Sequence, residues 1–295
     1  MPFTLFMIRQ IAFHTPHRQF DFVIVSQDDF EIPAWAEAMG IVLHRPGEVP
    51  DVGNTKRFNG SRVPMFRILL AKELGHRYRR ILYLDSDMFI EGGDFVRLLD
   101  INIGPHPFAA VRDAPTLYEP NHHAKEFKAA GLPVMPYFNS GLLLIDTEAF
   151  NSQEVAARCW AAAETYPLAL AYADQSLLNL AVQGRFAELA PYWNWQGDHR
   201  FPLVTLRYPV YIRHFIGSLK PTRDPAGLLD ARFRQAYADF FRNHMPDQLE
   251  GLALPCDPTP MRIGQASNIV LRHLQAKRLM SAGLGLFADP WDVKL

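Results

Sequence analysis

Two cysteines in 295 residues, Cys159 and Cys256, are too few for a disulfide framework, and they lack metal-site spacing. A reducing compartment is the simpler expectation. Excess charge of either sign is also missing: thirty Lys and Arg stand against thirty-one Asp and Glu, a net charge of −1. A nucleic-acid binder would carry a basic stripe, so no nucleic-acid partner is expected. No apolar run approaches the roughly 20 residues needed to cross a bilayer. The opening MPFTLFMIRQIAFHTPHRQ has neither a charged start nor a small-residue cleavage site, so it reads as part of the fold. A cytoplasmic protein is the expectation. Internal repeats and low-complexity tracts are absent too. What is present is ordinary globular material, 48% hydrophobic and 21% charged, with enough length for a sizeable core.

The first 110 residues alternate β-rich runs with helical patterns. FDFVIVS (20–26) and IVLHR (41–45) read as strands, with the EIPAWAEAMG helix between them stopped by Gly40. In SRVPMFRILLAKEL (61–74), Val63, Phe66, Leu69, Leu70 and Leu74 share one face at helical spacing, with Ser61 as N-cap and Gly75 as stop. A third strand, RRILYLD, follows. Further strands are predicted at 107–112, 141–146 and 208–213, and helices at 152–165, 174–183, 228–244 and 266–280. The 152–165 helix opens on a capping-box pattern, Asn151 to Glu154. Strand–helix alternation predicts an α/β domain with a mainly parallel sheet over residues 1–225. Residues 226–295 read as a helical extension packed on it, interrupted by a Pro-rich stretch at 255–260.

The stretch RRILYLDSDMFI drives an apolar strand into two carboxylates, Asp85 and Asp87, one residue apart. Ligands of open α/β sheets collect at the carboxyl ends of strands. Two like charges brought together by a turn at Ser86 repel, and a cation between them resolves the conflict. Mg²⁺ or Mn²⁺ would suit oxygen ligands, and Mn²⁺ also accepts imidazole. An Asp-Ser-Asp turn that merely caps the next segment reads equally well. Three other stretches bear on the choice. YFNSGLLLID puts Asn139, Ser140 and Gly141 just before an apolar strand, where glycine permits close backbone approach. YADQSLLNL puts Asp174 and Gln175 at a helix start. IRHFIGSLKP spaces His214, Gly217 and Lys220 three apart after a strand: an imidazole for a metal, a glycine and a cation for a phosphate.

The set LDSD, FNSG, ADQSLLN and HFIGSLKP, in this order, resembles the retaining glycosyltransferases of family eight, which include bacterial lipopolysaccharide galactosyl- and glucosyltransferases and glycogenin. The likeness runs over roughly residues 1–225 and implies a GT-A nucleotide-sugar-binding domain. It implies that Asp85, Asp87 and His214 bind Mn²⁺ (or Mg²⁺), which bridges the phosphates of a UDP-hexose donor, with Ser86 in the same turn. Gly217 and Lys220 would hold the diphosphate. Arg67 matches an arginine that approaches the donor sugar. Asn139, Asp174 and Gln175 would line the sugar pocket, Asp113 would face the donor sugar or acceptor, and Trp193 to Trp195 would form pocket wall or core. The acceptor implied is a saccharide or lipopolysaccharide.

The family pattern opens with one more strand, ahead of the helix that MPFTLFMIRQIAFHTP matches. The lack of a counterpart here predicts an empty sheet position and lost uridine contacts. A degenerate fold that binds nucleotide-sugar without turnover is therefore an alternative. A strand followed by DxD also opens the haloacid-dehalogenase phosphatases, but Phe89 stands where they carry Thr or Val. Finally, IVLRHLQAKRLMSAGLGLF (269–287) interleaves Arg272, Lys277 and Arg278 with Ile269, Leu271, Leu274, Leu279 and Met280. Such a helix docks on the domain or lies peripherally on the inner face of a membrane; docking is the expectation.

Overall fold

The computed structural model describes residues 1–50, 62–119, 121–196, 208–224, 227–249 and 263–295, with backbone alone for 118, 263, 265, 272 and 275–282. Ser61, Cys256 and the Pro-rich stretch at 255–260 lie outside the described residues, and the side chains of Arg272 and of 277–280 lie outside them too.

Helix α1 (Pro2–His14) starts with proline in its first turn, where a missing N–H is harmless. It buries Leu5, Phe6, Met7, Ile8 and Ile11. Strand β1 (Val23–Val25), helix α2 (Ala34–Glu37) and strand β2 (Val42–His44) follow, and β1 pairs with β2 in parallel. A 3₁₀ turn (Val63–Met65) leads into α3 (Phe66–Leu74). Phe66, Leu69, Leu70 and Leu74 are buried as the spacing predicts, but Val63 is exposed. The tighter 3₁₀ turn rotates each residue further than an α-helix does, which takes Val63 off the shared face.

The chain continues through β3 (Arg80–Leu84), β4 (Met88–Ile90), α4 (Phe95–Leu99), β5 (Phe108–Arg112), α5 (Ala114–Tyr118), α6 (Lys125–Ala129) and β6 (Phe138–Asp146). Then come α7 (Thr147–Ser152), α8 (Val155–Thr165), α9 (Ala173–Val182), β7 (Ala187–Leu189), β8 (Ile212–His214), α10 (Ala231–His244), α11 (Ile263–Leu284) and β9 (Val293–Lys294). The described strands form a five-stranded sheet, β3-β6-β5-β7-β9, and two pairs, β1-β2 and β4-β8. β3 is hydrogen-bonded to β6 on one side and to no described strand on the other.

The sheet is mixed, and this corrects the mainly parallel one predicted. Only β5 and β7 pair in parallel within it; β3-β6, β6-β5 and β7-β9 are antiparallel. A continuous apolar run signals a strand buried on both faces, which is commonest in parallel sheets. Here β6 is buried at every residue yet runs against both neighbours. Its Leu142 and Leu144 join one core with Ala109, Val111, α1 and α10; Leu143 and Ile145 join the other with Phe108, Ala110, α3, α8 and α9. Burial on both faces says nothing about strand direction.

Three local expectations are also corrected. The capping box at 151–154 does not form. Asn151 sits inside α7 and donates to Ala71 O at 2.8 Å, while Glu154 is left-handed at φ 53°. Asp146 caps the preceding helix α7, accepting from Ala149 N–H at 2.9 Å, and α8 starts without a side-chain cap. The strand predicted at 208–213 begins only at Ile212, because Pro209 lacks a ladder donor and Tyr211 N–H donates to Tyr192 O at 2.9 Å instead. Asn139, Ser140 and Gly141 lie within β6 rather than before it.

The C-terminal part is helical, and it is woven into the domain. Phe233, Tyr237, Phe240 and Phe241 of α10 share the core with α1, and β9 adds a strand beside β7. Leu284, at the end of α11, is buried, and the adjoining Gly283 lies so close to Leu117 of α5 that a Cβ would come within 2.6 Å of its carbonyl oxygen. Val270, Leu271 and Leu274, earlier in α11, are exposed. No described helix is long and apolar enough to cross a membrane.

Candidate active site

The turn Asp85–Asp87 leaves β3 with its first residue anchored: Asp85 N–H donates to Gly141 O at 2.8 Å. Strand β4 then pairs antiparallel with β8 in a register that sets Met88 opposite His214. Asp87, one residue earlier, therefore meets the imidazole. His214 Nε2 lies 3.2 Å from Asp87 Oδ1 and 3.9 Å from Asp85 Oδ2. One ligand atom from each of the three residues falls within 4.8 Å of the others.

Two observations test whether these residues fit a metal. Asp87 Oδ1 is buried and accepts no hydrogen bond of good geometry among the described residues, with His214 Nε2 3.2 Å away as an ion-pair partner. A buried carboxylate oxygen without a donor is a costly arrangement that a cation relieves. The cradle is also kept clear by glycine: a Cβ on Gly141 would lie 2.3 Å from His214 Cε1 and 2.9 Å from Asp85 Oδ2. Two carboxylates and one imidazole make a donor set suited to Mn²⁺, and to Mg²⁺ less well. The residues fit. Burial alone would raise the Asp87 carboxyl, but His214 and then Lys220 outweigh it and hold the group well below the usual carboxylate range.

Lys220 Nζ donates to Asp87 Oδ2 at 2.5 Å and also to Phe215 O. The loop between His214 and Lys220 passes through Gly217, which adopts φ 74° and faces open space. Ser86, between the two aspartates, is exposed.

On the other side of Asp85 stands Arg67, only 4% exposed. It donates to Asp85 Oδ1 at 2.8 Å and to Ser140 O at 2.5 Å, and its Nε lies 3.1 Å from Asp174 Oδ2. Its guanidinium also covers the Tyr83 ring at 4.3 Å. Burial works against the Arg67 charge, yet Asp174 and Asp85 more than offset it and raise its pKa. Burial pushes the Asp174 carboxyl up, with Arg67 opposing. Ser140 Oγ donates to Asp174 at 2.8 Å.

Asn139, Gln175 and Asp113 form the neighbouring wall. Asn139 Nδ2 donates to Gln175 Oε1 at 3.1 Å and to Asp113 Oδ1 at 3.4 Å. Asp113 is raised by burial, with the amides of Asn139 and Gln175 pulling the other way. The candidate site residues Arg67, Asp85, Asp87, Asp113, Asn139, Asp174, Gln175, His214 and Lys220 thus lie in one contiguous group, with Gly217 and Ser86 on its rim.

Sequence reasoning missed Tyr83 as a member of this group, and it named Ser140 and Asn194 only as parts of their segments, without a partner. Tyr83 OH donates to Asp85 Oδ1 at 2.8 Å. Asn194 is 1% exposed and touches both His214 and Asn139. The WNW segment drew notice for its tryptophans, which are fully buried core; the available signal was the polar residue fixed between them.

Gly141→Ala is expected to destabilise the fold by about 1–3 kcal/mol, since the imidazole and backbone must move to admit one methyl. A lower urea midpoint with an unchanged slope would register it.

The structure superposes on that of galactosyltransferase LgtC, solved with donor and acceptor sugar analogs, with a TM-score of 0.61 over 83% of this chain and 96% of that one. At 17% identity this likeness shows the fold, which is of the GT-A type. Among curated relatives, General stress protein A of Bacillus subtilis is 30% identical over 157 residues, 48% of this chain and 52% of the relative. Lipopolysaccharide glucosyltransferase WaaO of Escherichia coli is 26% identical over 220 residues, 72% of this chain and 63% of the relative. The chain thus matches between half and two thirds of the length of these relatives. The family profile of glycosyl transferase family 8 matches residues 55–224, a span that takes in both aspartates, the Asn139 strand, the Asp174 helix, His214 and Lys220. With the fold, the motif order and more than half of the chain in agreement, this protein belongs to glycosyl transferase family 8.

Proposed function

We propose that the protein transfers a hexose from a UDP-sugar to a hydroxyl of a saccharide or lipopolysaccharide-type acceptor, with retention at the anomeric carbon. The observation that carries this reading is the convergence of Asp85, Asp87 and His214 between a lysine on one side and a wall of sugar-compatible polar groups on the other. Asp85, Asp87 and His214 would hold Mn²⁺ or Mg²⁺. When bound, the ion supplies positive charge to the diphosphate as it departs.

The chain's own residues do the rest. Lys220, tied to Asp87 at 2.5 Å, is within reach of a diphosphate docked at the clamp, and its ammonium stabilises the charge that develops there. Gly217, with its open side and positive φ, lets backbone N–H groups approach the phosphates. Asn139, Gln175 and Asp113 offer amide and carboxylate partners to sugar hydroxyls. Arg67 holds Asp85 and Asp174 in place and presents a buried cation beside the donor sugar. Asp174 is committed to Arg67 and Ser140, which disfavours it as a nucleophile; in a same-face attack the acceptor oxygen bonds to the anomeric carbon as the sugar–diphosphate bond breaks, and its proton passes to the departing diphosphate. Val270, Leu271 and Leu274 on α11 give a cytoplasmic enzyme an apolar surface for a lipid-linked acceptor at the membrane face.

Calorimetric titration of UDP with and without Mn²⁺ tests the clamp: binding is expected with Mn²⁺ and is expected to be lost without it. Transfer from UDP-glucose and UDP-galactose to core oligosaccharide, followed by NMR of the new linkage, tests the reaction. Metal-dependent UDP binding with no transfer to any acceptor and no donor hydrolysis would favour the non-catalytic binding alternative.

A further inference from the structure

His214 can serve a metal only if the nitrogen facing Asp85 and Asp87 carries a lone pair, and imidazole has two neutral tautomers. The hydrogen bonds around it decide which one is present. Gly141 N–H, which can only donate, meets Asn139 Oδ1 at 3.1 Å. That contact fixes the Asn139 atom as oxygen. The same oxygen lies 3.0 Å from the Asn194 amide, so Asn194 must present Nδ2 to it. The remaining Asn194 atom is then Oδ1, and it lies 3.0 Å from His214 Nδ1. An amide oxygen accepts, so Nδ1 must hold a proton; Nε2 faces the carboxylates of Asp87 and Asp85 at 3.2 and 3.9 Å and is the nitrogen that gives up its proton to a cation.

The far end of the chain agrees independently. Ser140 N–H donates to Gln175 Oε1 at 3.2 Å, fixing that atom as oxygen. Asn139 Nδ2 donates to the same Oε1 at 3.1 Å, as the first assignment requires. Backbone N–H groups of two adjacent β6 residues thus pin both amides of the relay. Asn194 itself is held rigidly: it is 1% exposed, and the next residue, Trp195, exchanges backbone hydrogen bonds with Ile212 and His214 at 2.9 and 2.8 Å.

We propose that Asn194 is a positioning residue that, through Asn139 and the Gly141 backbone N–H, locks His214 in its Nδ1–H tautomer and presents Nε2 to the cation. The relay's consequence for metal rests on the reading of Asp85, Asp87 and His214 as the metal clamp; the tautomer itself does not. Outer partners of metal-bound histidines commonly change affinity by about 10- to 100-fold.

The test has two arms. In metal-free wild-type protein, ¹⁵N correlation spectra of His214 should show a proton on Nδ1, with or without a second proton on Nε2 toward Asp87. An Nε2–H tautomer with Nδ1 bare would overturn the proposal, whatever the metal data say. In the second arm, free Mn²⁺ is followed by electron paramagnetic resonance during titration. Asn194→Ala should weaken Mn²⁺ binding about 10- to 100-fold and mix the tautomers. Asn194→Asp keeps an acceptor for Nδ1–H but loses the donor to Asn139 Oδ1, so it should retain the proton on Nδ1 and bind Mn²⁺ more tightly than Asn194→Ala. An unchanged tautomer in Asn194→Ala would overturn the relay. Wild-type protein with the Nδ1–H tautomer but no affinity for Mn²⁺ would uphold the relay and refute the metal reading.

Discussion

Asp87→Asn should lower kcat/KM by about 10³, equivalent to about 4 kcal/mol of transition-state stabilisation. The substitution keeps the size of the side chain and removes one charge from a site where that charge has two partners. Oδ1 faces the imidazole at 3.2 Å without a hydrogen bond, and Oδ2 accepts from Lys220 at 2.5 Å. An amide is a far weaker ligand for a hard cation than a carboxylate, and a bound metal is worth several kcal/mol of charge stabilisation in such transfers. Lys220 would also exchange its ion pair for a bond to a neutral amide oxygen, keeping Phe215 O, at the moment the metal is weakened. Steady-state kinetics over a Mn²⁺ series would check the result, with partial recovery at high Mn²⁺. A variant within tenfold of wild type at all Mn²⁺ concentrations would remove Asp87 from the clamp.

Arg67→Met should destabilise the fold by about 3–5 kcal/mol, the range for leaving one side of a buried ion pair without its partner. Methionine fills much of the same volume, so the loss is electrostatic. Asp174 would then stand buried with Ser140 and its own backbone N–H as its remaining donors. The pH dependence carries a sign. Burial already raises the Asp174 carboxyl above its ordinary 3.8, with Arg67 opposing; without Arg67 it rises further. A carboxyl raised in the folded state contributes stability that is fully present below the unfolded pKa and is lost as pH rises through the folded pKa. The deficit of Arg67→Met should therefore be smallest below the folded Asp174 pKa of the wild type, grow between that value and the higher one of the variant, and level off above it. Urea midpoints for both proteins across that interval would measure it. A deficit that stays flat with pH would mean that Asp174 is not the group left stranded.

Much of the site was legible because its parts are local in sequence. The two aspartates, the FNSG run and the His-Gly-Lys spacing each occupy a few residues at the end of, or within, an apolar strand, and burial next to a polar cluster marks them. What was not legible needs pairing information. Nothing in MFI or IRH announces that β4 and β8 form their own ladder, yet that register brings Asp87 to His214. The direction of β6 was equally hidden, since a strand buried on both faces reads alike in either sense. Tyr83 alternates with apolar neighbours along β3 and passes for a core residue until Arg67 is seen over its ring. The capping box at Asn151 failed because Asp146, five residues earlier, started the helical turn first.

The unpaired side of β3 has a practical consequence in how the molecule meets its own copies. ILYL exposes part of every side chain there, beside backbone donors and acceptors that no described strand satisfies. Such an edge is a template for another extended chain, and apolar residues along it make the encounter adhesive. The strand that delivers Asp85 and Asp87 to their place thus carries, among the described strands, an edge open to self-association.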